Sequence, residues 1–348
     1  MIRISVIIPC LNEAQTIELL LENLRQQTVD LASMEVLIAD GMSTDGTRDR
    51  IRAYQARHPE LAIRVVDNPG RIIPSALNRA LAVARGEYIV RLDAHSVPEK
   101  DYVQKSLADL DQGLGDIVGG VMQIKPKAPG GVARAIASAM AHPLGVGDAR
   151  YRYGTTARQV DTFAFGSFRR SLCDRVGLYN ENLLANEDYE FNTRLRKQGG
   201  RLWLNPEIRF LYFPRDTFRA LARQYARYGY WKWRMLRHHP GSLRWRQALP
   251  PLFVAEIVGL ALLGLAFPWA RWAFLAQLGL YLGVLVVGTA RQAWGKREPQ
   301  LLLLVPLAIM VMHFSWGAGF NWSVLRGFLP GAGTAAGGGP PAPPGGRA

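Results

Sequence analysis

At 348 residues the chain is longer than one average domain, so two structural regions are expected. The only two cysteines, Cys10 and Cys173, lack metal-type spacing, which excludes a disulfide framework and fits a reducing compartment. The net charge of +14 is concentrated in residues 209–246, where ten Lys or Arg accompany one acid. No nucleic-acid recognition module accompanies this charge, so we exclude nucleic acid and expect a membrane surface as its partner.

The chain begins with alternating strand and helix patterns. Residues 4–8 are a β-branched run broken by Pro9, which predicts a first strand and not a signal peptide. An apolar stripe at helical spacing follows, formed by Ile17, Leu20, Leu21 and Leu24. Further strands are predicted at residues 35–39, 63–66 and 87–92, with helices between them. This alternation predicts an α/β fold with a mainly parallel sheet covered on both sides.

Polar segments follow each of the four predicted strands. In parallel sheets ligands bind outside the carboxyl ends of the strands, where the connecting loops converge. The segments at these ends are residues 9–13, 40–45, 68–71 and 93–95. The sequence therefore predicts a ligand site at this edge of the sheet.

The next part of the chain is less regular. We predict a strand at residues 117–123, a helix at 132–141, a strand at 160–165 and a helix at about 187–198. In residues 218–236 aromatic and aliphatic side chains share one side, and arginines share another. This pattern fits a basic helix in a membrane interface, or a basic surface helix packed on the domain.

Three apolar segments follow, at residues 249–267, 272–290 and 301–320. Each is long enough to cross a hydrocarbon core of about 30 Å at roughly 1.5 Å per residue. The basic loop between the second and third segments is expected on the cytoplasmic side. Glu256 and His313 lie within these segments and need polar partners; for Glu256, packing against another helix and contact with substrate remain open.

The predicted organisation has four parts. A catalytic domain covers residues 1–215, a basic helical region 216–246, and three transmembrane helices 247–322. Residues 331–348 form a Gly, Pro and Ala tail that is expected to be disordered.

Four motifs in order carry a resemblance to a known family. They are SVIIPCLNE, IADGMSTDGT, the strand-end DAH and NED. Together they resemble the inverting glycosyltransferases of family 2, which have the GT-A nucleotide-sugar-binding fold. IVRLDAH, FGSFRR, NEDYEFNTRLR and RQYARYGYWK look most like the membrane-anchored glucosyltransferases of succinoglycan-type exopolysaccharide synthesis. The resemblance covers about residues 1–235, and the order of the motifs makes it specific.

The resemblance implies a nucleotide site at the first strand ends. Asp40 would accept a hydrogen bond from the base, while Pro9, Asn12 and Glu13 would shape the pocket around base and ribose. Asp45 would either contact the nucleotide or order its own loop. Arg71, in the loop after the third strand, is a candidate for a donor phosphate.

A divalent cation would neutralise the leaving diphosphate. Family members usually carry Asp-x-Asp at the fourth strand end, whereas this chain has Asp93, Ala94 and His95. Asp93 carries over directly and His95 by position only, so His95 is either a ligand that shifts preference from Mg²⁺ toward Mn²⁺ or a loop residue beside the site.

The resemblance also implies the residues on the acceptor side. Asp188 aligns with the catalytic base, which takes the proton of the acceptor hydroxyl, and Glu187 supports it. Acids at a helix start are also favoured by the helix dipole, whatever their role.

The segment QYARY resembles the Gln-x-x-Arg-Trp motif, with Tyr228 in place of Trp. Gln224 and Arg227 would hold the acceptor end and the diphosphate, although a plain interfacial role for Arg227 remains open. Gly166 and Ser167 resemble an acceptor-side loop, where glycine permits close approach.

We therefore expect a membrane-anchored inverting hexosyltransferase with its catalytic domain on the cytoplasmic face of the inner membrane. A uridine diphosphate sugar, with glucose as the expected sugar, would be the donor and a lipid-linked saccharide the acceptor. Direct transfer to a polyprenyl phosphate is the nearest alternative, and a non-catalytic membrane scaffold that keeps the nucleotide-sugar fold is another. Mn²⁺ or Mg²⁺ is the expected cofactor.

Overall fold

The computed structural model describes residues 1–295 and 298–328. Its first part alternates strands and helices as the sequence predicts: β1 (Ile4–Cys10), α1 (Ile17–Arg25), β2 (Met34–Asp40), α2 (Thr47–Arg57), β3 (Ala62–Asp67), α3 (Ile73–Val83) and β4 (Tyr88–Arg91). The four predicted strands are confirmed, with ends that differ by one or two residues.

The remaining elements of the first 236 residues alternate less regularly. They are β5 (Val97–Pro98), α4 (Tyr102–Asp111), β6 (Ile117–Ile124), α5 (Gly131–Met140), α6 (Pro143–Val146), β7 (Arg158–Gln159), β8 (Ser167–Arg169), α7 (Leu172–Val176), α8 (Glu187–Lys197), β9 (Leu202–Tyr212) and α9 (Phe218–Leu236). The predicted helices near residues 132–141, 187–198 and 218–236 are confirmed.

The strands form one sheet in the order β3-β2-β1-β4-β8-β6-β9-β5, with β7 beside β9. The pairs among β3, β2, β1 and β4 are parallel, and β6 also runs parallel to β9. In contrast, β8 is antiparallel to both of its neighbours, and β5 and β7 are antiparallel to β9. The predicted parallel pairing is therefore found among β1, β2, β3 and β4, whereas the sheet as a whole contains both parallel and antiparallel pairs.

Side chains of the central strands are buried on both faces of the sheet. On β1, Val6 and Ile8 pack with α1, whereas Ile7 packs on the opposite face with α3. Because successive residues of a strand point to opposite faces, a strand covered on both sides is apolar throughout. The continuous apolar runs in the sequence are explained by this double burial.

The strand predicted at residues 160–165 is wrong. The Val160 N–H continues the β7–β9 pairing by donating to the Leu202 carbonyl at 3.0 Å, but residues 161–165 lie outside the strands. The aromatic residues of this segment instead fill the two cores, Phe163 on one face of the sheet and Phe165 on the other. A Cβ on Gly119 would lie 2.7 Å from the Phe163 ring, so the glycine makes room for it.

Three apolar helices end the described chain: α10 (Trp245–Leu263), α11 (Pro268–Gly295) and α12 (Leu301–Phe328). All three are long and apolar enough to cross a membrane. They match the three predicted segments, except that α10 and α11 each start four residues earlier, α10 ends four residues earlier, and α11 and α12 end five and eight residues later. The predicted tail at residues 331–348 and the central part of the basic loop, residues 296–297, lie outside the described residues.

The basic helix α9 packs against α12 over much of its length. A Cβ on Gly229 would lie 2.1 Å from the Trp316 carbonyl oxygen, and one on Gly319 would lie 2.1 Å from that of Ala226. Small residues let two helix backbones approach this closely. The structure therefore shows that α9 packs within the protein against the apolar helix α12, while a membrane-interface position for its basic side stays a prediction.

Candidate active site

Asp40 lies at the carboxyl end of β2 and is fully buried. Its carboxylate accepts hydrogen bonds from the Ser43 backbone N–H at 3.1 Å and from the Ser43 hydroxyl. Arg48 donates to the same carboxylate and also to Asp67, at 2.6 Å. Asp40 therefore fixes the loop that follows β2 through Ser43, and it forms an ion pair with Arg48.

The loop after β1 is fixed by its own polar residues. Asn12 has a φ of 56°, a left-handed conformation that Asn tolerates, and its side-chain oxygen accepts from the Thr44 N–H at 2.9 Å. Asp45 accepts from the Ala14 N–H at 3.0 Å and from the Thr47 N–H at 3.1 Å. Of the two interpretations of Asp45, ordering of the loop is the one that these contacts support.

Two other predicted donor residues lie at the same edge of the sheet. Pro9 is half-buried near the end of β1 and pairs in register with Ala39 of β2. Arg71 is exposed, with a φ of 55°, and its N–H donates to the Asn68 carbonyl at 3.0 Å. The structure therefore brings the predicted loops together, with Arg71 at the outer rim.

Arg91 is the centre of the acidic part of the site. It is 3% exposed at the end of β4, and its guanidinium pairs with Asp93 at 3.0 Å, with Glu187 at 3.5 Å and with Asp188. It also donates to the Ala164 carbonyl oxygen. The three predicted acids thus converge on one cation that the sequence analysis did not assign. The signal was present, since a charged residue within the apolar run YIVRL needs a buried partner.

The start of α8 carries the predicted base. Asn186 precedes the helix with a φ of 67°, and its side-chain amide donates to the Tyr228 carbonyl at 3.2 Å, which ties this helix start to α9. Burial raises the pKa of Asp188 well above its usual range, while Arg91 opposes the shift and Glu187 adds to it. Burial also raises the pKa of Glu187, again opposed by Arg91. A carboxylate with a raised pKa is a stronger base, as abstraction of a hydroxyl proton requires.

His95 lies beside these acids but bonds to another one. Its Nδ1 is 3.0 Å from Glu13 Oε1, so Nε2 is the ring nitrogen that a metal would take. Although burial opposes it, the hydrogen bond with Glu13 raises the pKa of His95, and Asp93 adds to the effect. Glu13 is thereby engaged with His95 and with the Thr16 hydroxyl.

The donor set fits a hard divalent cation held together with a diphosphate. Three carboxylates pair with the one guanidinium of Arg91, so acids outnumber bases within this ion-pair cluster. Within residues 1–295 and 298–328, no cluster of three His, Cys, Asp or Glu side chains could hold a metal alone. Asp93 and His95 would therefore supply a minority of the ligands, as is usual for Mg²⁺ bound with substrate phosphates and water.

The predicted acceptor residues have different positions. Gln224 and Arg227 line the same cavity as Asp188; Gln224 donates to the Tyr228 hydroxyl at 2.9 Å, and Arg227 donates to the Leu184 carbonyl. Ser167, in contrast, is fully buried in β8, and a Cβ on Gly166 would lie 2.6 Å from Ile117. The structure therefore gives Gly166 and Ser167 packing positions within the sheet, while Ala164 and Phe165 border the cavity.

One cavity of about 1540 Å³ connects the acids with the apolar helices α10, α11 and α12. At one end it is lined by Arg91, Asp93, His95, Glu187 and Asp188, and at the other by Phe253, Glu256, Tyr281, Val284 and His313. Glu256 and His313, which lie within the predicted apolar segments, both have polar partners on α11. Gln277 donates to Glu256 at 2.7 Å, and the Tyr281 hydroxyl lies 2.9 Å from His313 Nδ1.

Comparison with known proteins agrees with this architecture. The succinoglycan biosynthesis protein ExoA of Rhizobium meliloti (strain 1021) is 34% identical over 93% of this chain and 95% of its own. A dolichyl N-acetyl-alpha-D-glucosaminyl phosphate 3-beta-D-2,3-diacetamido-2,3-dideoxy-beta-D-glucuronosyltransferase of Methanococcus voltae is 26% identical over 93% of this chain and 98% of its own.

A solved structure and a family model complete the comparison. The mannosyltransferase PcManGT from Pyrobaculum calidifontis, in complex with GDP-Man and Mn²⁺, has a similar GT-A fold, with a TM-score of 0.58, 22% identity, and coverage of 92% of this chain and 87% of its own. The model of glycosyl transferase family 2 matches residues 5–177. With the two relatives named above covered over nearly their whole length, this chain belongs to glycosyl transferase family 2.

Proposed function

We propose that this protein is a membrane-anchored, inverting hexosyltransferase that moves glucose from UDP-glucose to a lipid-linked saccharide. The observation that carries the proposal is the cavity that joins the acids around Arg91 to the membrane helices. A lipid-linked acceptor can enter such a cavity from the bilayer while a nucleotide sugar enters from water. We further propose that the protein lies in the inner membrane, with the catalytic domain facing the cytoplasm.

The chain's own residues divide the reaction between them. Asp40, with Pro9, Asn12 and Glu13, binds the base and ribose, and Asp45 keeps the loop in place. Asp93 and His95 would hold a divalent cation, Mn²⁺ or Mg²⁺, which would supply Lewis-acid stabilisation of the leaving diphosphate. Arg71 and Arg227 add positive charge for the phosphates.

Asp188 takes the proton from the acceptor hydroxyl as that oxygen attacks the anomeric carbon. Glu187 and Arg91 keep its carboxylate in position, and Gln224 contacts the acceptor. Attack opposite the leaving diphosphate inverts the anomeric configuration. Support for this role comes from the burial of Asp188, which strengthens it as a base, and from its opening onto the cavity.

The function is tested with protein in lipid nanodiscs, a panel of UDP- and GDP-sugars, and either a lipid-linked saccharide or bare polyprenyl phosphate. We expect transfer to the saccharide that stops with EDTA and returns with Mn²⁺ or Mg²⁺. Asp188→Asn should lower the transfer rate about 10²- to 10⁴-fold, because a general base is lost, with nucleotide binding retained.

Asp174→Asn is the matched control, since Asp174 is an exposed acid at the start of α7. It should transfer sugar at the wild-type rate. Transfer by Asp188→Asn above a tenth of the wild-type rate would remove Asp188 as the base. A product with retained anomeric configuration in the NMR spectrum would contradict inversion, and transfer to bare polyprenyl phosphate alone would establish the alternative acceptor.

A further inference from the structure

Arg152 is a cation in the cavity that the proposed reaction does not use. It ends a short 3₁₀ turn, Arg150–Arg152, between α6 and β7, and its side chain lines the cavity. Its Nε donates to the Tyr151 hydroxyl at 3.2 Å, and its guanidinium lies 5.3 Å from the centre of that ring. Its Nη1 is buried and, among the described residues, has no hydrogen-bond partner.

The side chains in contact with Arg152 are phenolic, and within the described part of the chain it forms no ion pair with a carboxylate. Among the ionisable groups that act on it most strongly are Tyr151, Tyr225 and Tyr212. Other well-buried arginines are paired differently, since Arg91 contacts three carboxylates and Arg246 contacts two. A buried cation without a counter-ion is unfavourable, so this position suits an anionic ligand.

The chemistry of the pocket favours a phosphate. A guanidinium matches phosphate oxygens with paired N–H donors, and tyrosine hydroxyls can add further donors. The acids around Arg91 would repel a phosphate unless a metal is present, whereas the Arg152 pocket offers positive charge and hydroxyl groups alone. Tyr212 lies between the two regions, with its ring 6.3 Å from that of His95.

The cavity continues from this pocket between the apolar helices, where its wall is mainly apolar and also includes Glu256, Tyr281 and His313. The apolar side chains are Leu249, Leu252 and Phe253 on α10, Val284 and Leu285 on α11, and Met312 on α12. Leu252 is 66% exposed and Val284 is 48% exposed, so the apolar end of the cavity opens toward the lipid side of the helices. A ligand that combines a phosphate with a long apolar chain matches both ends.

We propose that Arg152, with the hydroxyls of Tyr151, Tyr212 and Tyr225, binds the phosphate or diphosphate of the lipid acceptor. The inference rests on the proposed function, because it gives that function's acceptor a binding site. The lipid chain then lies along the apolar end of the cavity, and the attached saccharide is directed toward Asp188. Arg152 is a binding residue for the acceptor and is separate from the nucleotide site.

The test measures binding, which requires no sugar transfer. Purified protein in nanodiscs is titrated with farnesyl diphosphate, farnesyl phosphate, farnesol, inorganic pyrophosphate and UDP, with intrinsic tryptophan fluorescence as the readout. We expect the wild-type protein to bind farnesyl diphosphate at least about tenfold more tightly than farnesol or pyrophosphate, since both the charge and the chain contribute.

Arg152→Gln should lose the preference over farnesol and keep its affinity for UDP, which also shows that the variant is folded. Arg152→Lys should keep part of the preference, because the charge remains. Arg150→Gln is the matched control: Arg150 is an exposed neighbour stacked on Tyr153, and its loss should leave all affinities unchanged.

Three results would overturn the proposal. Equal affinity of the wild-type protein for farnesol and farnesyl diphosphate would show that there is no anion site. Equal affinity for pyrophosphate and farnesyl diphosphate would show a site for free phosphate. Parallel loss of UDP affinity in Arg152→Gln would assign the arginine to the donor. If lipid binding behaves as expected but no sugar is transferred, the proposed function fails and this site stands.

Discussion

Lys232 has a fully buried ammonium group on α9. Its Nζ lies 3.8 Å from the centre of the Tyr189 ring and donates to the Ser242 carbonyl at 3.1 Å. Burial lowers the pKa of Lys232 to about 7, although Asp161 opposes the shift. An unfolded lysine titrates near 10.4, so between about pH 7 and 10 the unfolded chain binds more protons than the folded one. Stability from this residue therefore rises with pH through that range.

Lys232→Met tests whether the stability contributed by Lys232 rises with pH. The substitution removes the charge, and the Ser242 carbonyl keeps a hydrogen bond from the Tyr189 hydroxyl, at 3.1 Å. In thermal unfolding between pH 6.5 and 9.5, the Tm advantage of the variant over wild type should be largest at the acidic end and shrink toward pH 9.5. Lys100→Met, at an exposed position, controls for the loss of one charge. Parallel Tm curves for wild type and Lys232→Met would contradict the buried-lysine interpretation.

The acids of the site could be predicted from the sequence better than the residue that pairs with them. Asp93, Glu187 and Asp188 were predicted from the motifs, and the structure brings them together. Arg91 was not assigned, because no spacing rule connects a strand residue with a helix start almost a hundred positions later. Arg152 was missed for a similar reason, because its lack of a carboxylate ion-pair partner depends on which side chains lie near it in the folded chain.

Among the strands and helices, those whose apolar residues recur at a regular short spacing could be predicted from the sequence. The four parallel strands and α1, α5, α8 and α9 follow from apolar spacing. The strand predicted at residues 160–165 is wrong because Phe163 and Phe165 there fill the two cores without pairing in a strand ladder. The strand β9 was not predicted; Pro206 interrupts its pattern, and its register against β6 shifts between Gly120 and Val121.

The α9–α12 contact depends on glycine at its crossing. Gly319→Leu would place side-chain atoms where the Ala226 carbonyl oxygen now lies 2.1 Å from the Cβ position. The helices must separate, so we expect a loss of about 1–3 kcal/mol in stability, with lower sugar transfer. Tm by differential scanning fluorimetry and the transfer rate measure both effects.

Gly279→Leu is the matched control for that experiment. It makes the same replacement within α11, where a Cβ would meet nothing within 4 Å. Its Tm should equal or exceed that of the wild-type protein, because leucine favours a helix more than glycine does. An unchanged Tm for Gly319→Leu would show that the two helices can move apart at little cost.

For the whole molecule, the shared cavity makes the membrane helices part of the site. Val284→Trp on α11 would insert an indole into the apolar end of the cavity, far along the chain from the acids. We expect the KM for a lipid-linked acceptor to rise about tenfold or more, because the lipid chain loses its place, with nucleotide binding and donor hydrolysis unchanged. Val287→Trp is the control, since Val287 is 76% exposed on the same helix and does not line the cavity. Equal acceptor KM values for the two variants would mean that the acceptor reaches Asp188 without passing between the helices.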